Sequence, residues 1–199
     1  MHSDVLECAE LPPRVARLKQ ETTSNHQKID DMVMAMDPFA SRANYIRFLT
    51  MQYRFHRAMK PIYDAPDLNV QLPGLAARGR FDAVSADLAD LGVTTLSDMP
   101  CDAIAAQGAS RLGWLYVCEG SSLGAAFLLK AAAVLNLNEE FGARHLAGHA
   151  EGRGKHWRGF VDQMNNLRLD PAEESSVIAG AVSAFDFFRR LLESDRVRA

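Results

Sequence analysis

Apolar positions recur every three or four residues through most of the chain, the spacing of amphipathic helices rather than strands. Over residues 14–36 the stripe is Val15, Leu18, Thr22, His26, Ile29, Val33 and Met36. Asp37-Pro38 stops it, because the residue before a proline is driven out of the helical region. Ser41 caps a second helix reaching about residue 63. That helix turns Tyr45, Phe48, Leu49, Gln52, Phe55, His56, Met59, Ile62 and Tyr63 inward and carries Pro61 in its last turn. Breaks at residues 64–67 and 72–74 precede a third helix over 75–91, which stops at Gly92. Residues 94–102 read as loop. A long helix follows, extending to about residue 135, then an aperiodic, loop-like stretch over 136–154 and a helix over 155–166. Asp170-Pro171-x-Glu173 opens the last helix, a capping box with proline at the first position, and that helix runs to about residue 193. No alternating strand, repeat or low-complexity segment is present. The pattern predicts an all-α fold, with one domain over 14–194 between tails at 1–13 and 195–199.

The long helix contains a contradiction. Residues 112–119 and 125–130 are strong helix formers, yet Gly120-Ser121-Ser122-Leu123-Gly124 lies between them. Each interior glycine costs about 1 kcal/mol relative to alanine, and Gly-Ser pairs are a known cause of kinks. Gly120 and Gly124 share a face, and missing Cβ atoms there admit a close neighbour. That neighbour is either another helix or a flat ligand; periodicity alone puts the helix first.

Composition narrows the class without naming a chemistry. The chain has 199 residues, 48% apolar and 24% charged, as a single soluble globular domain would. A formal charge of −3 disfavours general nucleic-acid binding. No uninterrupted apolar run approaches bilayer length, and the acidic, proline-bearing start is unlike a signal peptide. Cys8, Cys101 and Cys118 are scattered, as free thiols in a reducing cytoplasm would be. Cytoplasmic, with no membrane and no nucleic-acid partner, is the expectation.

His26 stands on the apolar stripe of the first helix, where a lone histidine is either a hydrogen-bonded core residue or a ligand. Gln52 and His56 place an amide and an imidazole on the inner face of the second helix, and buried polar groups must be paired or hydrated. Asp30 and Arg80 are candidates to hold water with them; a purely structural polar network is the alternative. His145-x-x-x-His149 and His156 have ligand spacing, but no glutamate follows the first histidine as in zincins, so surface-loop histidines are the expectation. Facing Glu-x-x-His pairs of a di-iron bundle are missing. So are a GxSxG elbow and a base beside Cys118.

Taken in order, several stretches resemble the bacterial heme oxygenases over nearly the whole chain. They are Arg17-Leu18-Lys19-x-x-Thr22-x-x-x-His26, Asp37-Pro38-Phe39-Ala40-Ser41 and Gln52-x-x-x-His56. Ala77-Arg78-x-Arg80-x-Asp82-Ala83 and Ala86-Asp87-Leu88-x-Asp90-Leu91-Gly92 follow. The most specific are Gly113-Trp114-Leu115-Tyr116-x-x-Glu119-Gly120-Ser121-x-Leu123-Gly124-Ala125-Ala126-Phe127 and Gly142-Ala143-Arg144-His145-Leu146. Gly152-Arg153-Gly154-Lys155-His156-Trp157 completes the set.

The resemblance implies heme as substrate and cofactor, with O2 as co-substrate, held between a proximal helix and a kinked distal helix. It implies His26 as the proximal iron ligand, Lys19 and Tyr116 as propionate contacts, and Gly120, Ser121 and Gly124 as the distal wall. A wall of backbone offers bound oxygen no acid that would cleave it early, so that protons arrive through ordered water. Asp30, Gln52, His56 and Arg80 are implied to hold that water. The products are biliverdin, ferrous iron and CO. Lys19 and Tyr116 together point to opening at the α edge, because relatives that open the β or δ edge lack the lysine. The expected setting is iron acquisition from heme by a monomer. Without a carboxy-terminal apolar anchor, the electron donor is expected to be a soluble ferredoxin or flavoprotein reductase. Arg153, Lys155, Arg158 and Arg78 are candidates for its docking face. A non-degrading heme carrier or sensor, or an unrelated helical enzyme on the same fold, are the alternatives.

Overall fold

The computed structural model describes residues 12–94 and 104–196. The expected amino-terminal tail, most of the loop after Gly92, Cys8 and Cys101 therefore fall outside the described residues. Seven α-helices are present among the described residues: α1 Arg14–Met34, α2 Arg42–Tyr63, α3 Pro66–Gln71, α4 Phe81–Asp90, α5 Ser110–Ala132, α6 Arg153–Asn166 and α7 Pro171–Arg196. The all-α expectation holds.

Local chemistry sets the ends where it was read. The Ser41 hydroxyl accepts the Asn44 N–H at 3.1 Å. Asp170 Oδ1 accepts the N–H groups of Ala172 and Glu173 at 2.8 Å, and Glu173 reaches back to the Asp170 N–H at 2.9 Å. The third helix differs from its expected span of 75–91. A 3-10 turn, Ala76–Arg78, and an extended Gly79 precede α4, so Arg78 and Arg80 leave the helix surface and turn inward. α3 was not read; six residues with proline at the first position are too short to show a period.

α5 and α7 form the central pair, with α1 and α6 packed beside them and α2 carrying α4. Phe55, Trp114, Phe187 and Phe188 meet at ring separations of 5.4–6.4 Å where α2, α5 and α7 converge. Burying side chains of this size contributes about 1.5–3 kcal/mol each. At the other end, Arg14 ties the start of α1 to Glu174 of α7 at 2.7 Å and to the Leu167 carbonyl at 2.8 Å.

The α5–α7 crossing is closest at two glycines the pattern had not singled out. A Cβ on Gly113 would lie 2.0 Å from the Val177 carbonyl oxygen, and one on Gly180 would lie 2.0 Å from that of Ser110. α5 itself is continuous: the expected interruption does not break its hydrogen-bonded run. The Ser121 and Ser122 hydroxyls donate to the carbonyls of Cys118 and Glu119, both at 2.7 Å, back-bonding that bends helices without ending them.

One helix is longer and more apolar than its interrupted sequence suggests. Ser110–Leu135 is long and apolar enough, by length and composition alone, to cross a membrane, with a mean hydropathy of 1.4 over 18 residues. Counting unbroken apolar runs missed it because Glu119 and the serines interrupt the run but not the helix. Only 22% of that window is buried; its first half packs on α7, and Glu119 is ion-paired inside the protein.

Candidate functional site

Two faces of α5 differ in character. Towards the interior, Cys118, Glu119, Ser122 and Ala125 border a polar cavity of about 60 Å³. Around the helix, Leu123 and Phe127 are 44% and 65% exposed, and a Cβ on Gly124 would meet nothing within 4 Å. The packing reading of Gly124 is thereby set aside, since no helix among the described residues covers it. Gly120 does have a close neighbour, but it is a side chain: the Trp157 indole lies 3.7 Å from the position of its missing Cβ. Trp157 in turn stands 6.2 Å from the Tyr116 ring.

Tyr116 of α5 stands beside Thr22 of α1, and burial raises its phenol above the usual range. One turn further along α1 is His26. Leu18, Thr22 and Val33 of the α1 stripe are buried, and Val15, Ile29 and Met36 are half-buried. His26 breaks the series, with its side chain 61% exposed. Its ring makes an edge contact with Phe185 at 6.1 Å, and Nδ1 lies 3.0 Å from Asp30 Oδ2. Lys19, two turns before His26 on the same face, is exposed.

Asp30 is thus placed differently from its implied group. It stands exposed beside His26 and away from the cavity, whereas Gln52, His56 and Arg80 do line the cavity together with Ser121. The reason is geometric: four residues on one helix put Asp30 over the His26 ring. An outer partner on Nδ1 is the usual arrangement for a metal-binding imidazole, because it fixes the ring and leaves Nε2 for the metal.

The cavity wall is built from buried, paired polar groups. Glu119 accepts from the Tyr63 hydroxyl at 2.7 Å and from Arg78 Nε at 2.8 Å, and Arg78 also donates to the His156 carbonyl at 3.1 Å. Burial, with Cys118 and Glu119 nearby, holds the Tyr63 phenol well above its usual range. Cys118 Sγ lies 3.8 Å from His56 Nδ1. Burial and the Glu119 charge push the thiol up to about 12, so it stays protonated and unreactive. Burial, then His145 and Arg80, push His56 down to about 3, so it is neutral at physiological pH.

His145 was expected on the surface but is buried. Asp87 of α4 is fully enclosed and takes the backbone N–H groups of Arg144 and His145, each at 2.9 Å, and His145 Nδ1 at 2.8 Å. No sequence-local signal could have shown this, because the partners lie on separate elements. His149 and His156 do remain near the surface, with parallel rings 4.2 Å apart. Among the described residues no group of three or more His, Cys, Asp or Glu could hold a metal ion.

Among the described residues, an imidazole oriented by a carboxylate, a neighbouring apolar helix face with a bare glycine, and a polar cavity behind that helix suit a flat apolar ligand carrying a metal. The comparisons agree. The heme oxygenase family model matches residues 14–194. Heme oxygenase PigA of Pseudomonas aeruginosa is 45% identical over 181 residues, covering 90% of this chain and 91% of that protein. The NO- and CO-bound heme oxygenase of Neisseria meningitidis is 45% identical, covers 93% of this chain and 92% of its own, and superposes with a TM-score of 0.89. Heme oxygenase of Leptospira interrogans, 16% identical, shares the fold with a TM-score of 0.77, covering 92% of this chain and 99% of its own.

The chain belongs to the heme oxygenase family. It is an O2-dependent oxidoreductase with heme as both substrate and cofactor.

Proposed function

We propose that this chain binds heme between α1 and α5 and opens it at the α meso edge. Its products are biliverdin, ferrous iron and CO, and the purpose is release of iron from heme. The observation that carries the reading is His26, uncovered in an otherwise covered stripe and oriented by Asp30. Bound heme supplies the iron that activates O2 and the ring that is cleaved. Every other role falls to the chain's residues. His26 would hold the iron, and Asp30, 3.0 Å from Nδ1, fixes the imidazole. Gly124 leaves α5 bare on its exposed face, Gly120 lets the Trp157 indole close on the helix, and no acid projects from either. Gln52, His56 and Arg80, with Ser121, hold water in the cavity behind α5. A water needs about 10–15 Å³, so that space admits several. His56, neutral at pH 7, can both accept and donate along such a chain.

Orientation follows from α1. Lys19 and Tyr116 bracket one edge of the pocket, because Tyr116 meets α1 at Thr22, between Lys19 and His26. An ammonium and a phenol there suit the heme propionates. Hemin, a reductant and O2 are expected to give loss of the Soret band and biliverdin that chromatographs as the α isomer. Lys19→Ala is expected to add β or δ isomers. A β or δ product from the unaltered chain would sink the orientation, and a stable oxy complex would point to a carrier.

The electron donor is a soluble ferredoxin or flavoprotein reductase, and the protein works as a cytoplasmic monomer. Two of the basic residues expected at its docking face are engaged elsewhere. Arg78 is ion-paired with Glu119 at 2.7 Å, and Arg153 donates to the carbonyls of Ser122 and Leu146, pinning α6 to α5. Exposed Lys155, paired with exposed Glu151, and exposed Arg158 remain. Charge reversal at Lys155 and Arg158 is expected to slow turnover several-fold with a protein donor, through the association rate, and to leave turnover with ascorbate unchanged. Equal slowing with both donors would remove this face from consideration.

A further inference from the structure

His145 has a role that the reading above does not use. Its side chain is 3% exposed, and it lines the same cavity as Gln52, His56 and Arg80. Nδ1 lies 2.8 Å from Asp87 Oδ2. Asp87 has no other source of charge balance as close as this ring and the Arg144 guanidinium. Burial alone would raise the Asp87 carboxyl. Hydrogen bonds from the His145 ring and from two backbone N–H groups outweigh that and hold it below the usual range, so Asp87 is an anion. An anion accepts, so Nδ1 must carry the proton. Burial keeps the ring neutral against the pull of Asp87. Nε2 is then a bare lone pair, and among the described residues it is a buried atom with no hydrogen-bond partner.

A buried acceptor without a protein partner, at the edge of a polar space large enough for water, is satisfied by water. We propose that His145, held in one tautomer by Asp87, is a positioning residue whose Nε2 accepts a hydrogen bond from a cavity water and so sets the direction of the proton path. This rests on the reading of the cavity as that path. A water donating one O–H to Nε2 keeps its lone pairs for the donors around it, Arg80 among them, and has one proton left to pass on. Were the tautomer reversed, Nε2–H would compete as a donor and the chain would lose its polarity. Asp87 accepts the backbone N–H groups of Arg144 and His145, which fixes the turn Arg144–Leu146 against α4 and holds the ring among the residues lining the cavity.

Two substitutions separate this role from merely holding the turn. His145→Asn can keep a donor near the Nδ1 position for Asp87 and deletes Nε2. His145→Gln gives up the Nδ1 bond and can present an amide oxygen near the Nε2 position. With hemin and ascorbate, the Asn variant is expected to lose about ten- to a hundredfold in kcat, the scale on which outer partners act. Its heme affinity should be unchanged and its solvent deuterium isotope effect larger. The Gln variant is expected to stay within about threefold of the unaltered enzyme on the same scale. In the heme-free protein, 15N-histidine NMR is expected to show His145 protonated at Nδ1 and bare at Nε2. A protonated Nε2 overturns the proposal alone. Normal turnover of the Asn variant with Nε2 bare overturns it together with the proton-path reading. A Gln variant as slow as the Asn variant, or slower, reduces His145 to a support for the turn and also overturns it.

Discussion

His26→Ala is expected to abolish biliverdin formation, lowering turnover at least about a hundredfold, the upper range for losing support at a metal centre. The Soret band of added hemin should lose the signature of a histidine-ligated heme. The fold should survive, because the imidazole is 61% exposed and its neighbours are an edge contact with Phe185 and the ion pair to Asp30. Far-UV circular dichroism and the urea midpoint of the heme-free variant should therefore match the parent. Added imidazole is expected to restore part of the Soret shift, since the pocket beside the truncated side chain remains open. Asp30→Asn should behave differently, keeping heme bound while weakening the orientation of the ring. Full activity of His26→Ala would overturn the ligand assignment.

How far the sequence carried this reading depended on the range over which each residue acts. The capping box at Asp170 and Glu173 and the Ser41 cap are contacts within one helical turn, and both were readable in the chain. The α1 stripe was readable too, because period and burial agree at Leu18, Thr22 and Val33. The stretch over 75–91 failed because apolar spacing continues across Gly79 while the backbone does not. The 3-10 turn it hides is what brings Arg78 to Glu119. His145 failed for a different reason: what buries it is Asp87 on another helix, and no local pattern encodes that. Asp30 shows the converse case. The family pattern grouped it with the water-holding residues, whereas four-residue spacing alone would have paired it with His26.

The glycines of α5 make the sharpest test, because identical substitutions should act with opposite signs. Gly124→Ala adds a Cβ that would meet nothing within 4 Å, and alanine is favoured in a helix by about 1 kcal/mol. The heme-free protein should therefore gain up to about that amount in urea unfolding, and biliverdin formation should fall because the added methyl stands on the distal wall. Gly113→Ala is expected to be severely damaging. Its Cβ would lie 2.0 Å from the Val177 oxygen and 2.4 Å from the Ala181 nitrogen. Both are α7 backbone, so no side-chain rotation relieves the overlap, and the two helices must separate along their length. Overpacking that side chains can absorb costs about 1–3 kcal/mol; here the loss should exceed that range. It would remove much of the ~5–15 kcal/mol that holds a domain folded. Gly180→Ala meets the Ser110 oxygen in the same way and should match it. A Gly113→Ala protein with the parent's urea midpoint would show that α5 and α7 do not cross this closely. The division of labour between a packing glycine at 113 and a ligand-facing glycine at 124 would then fail with it.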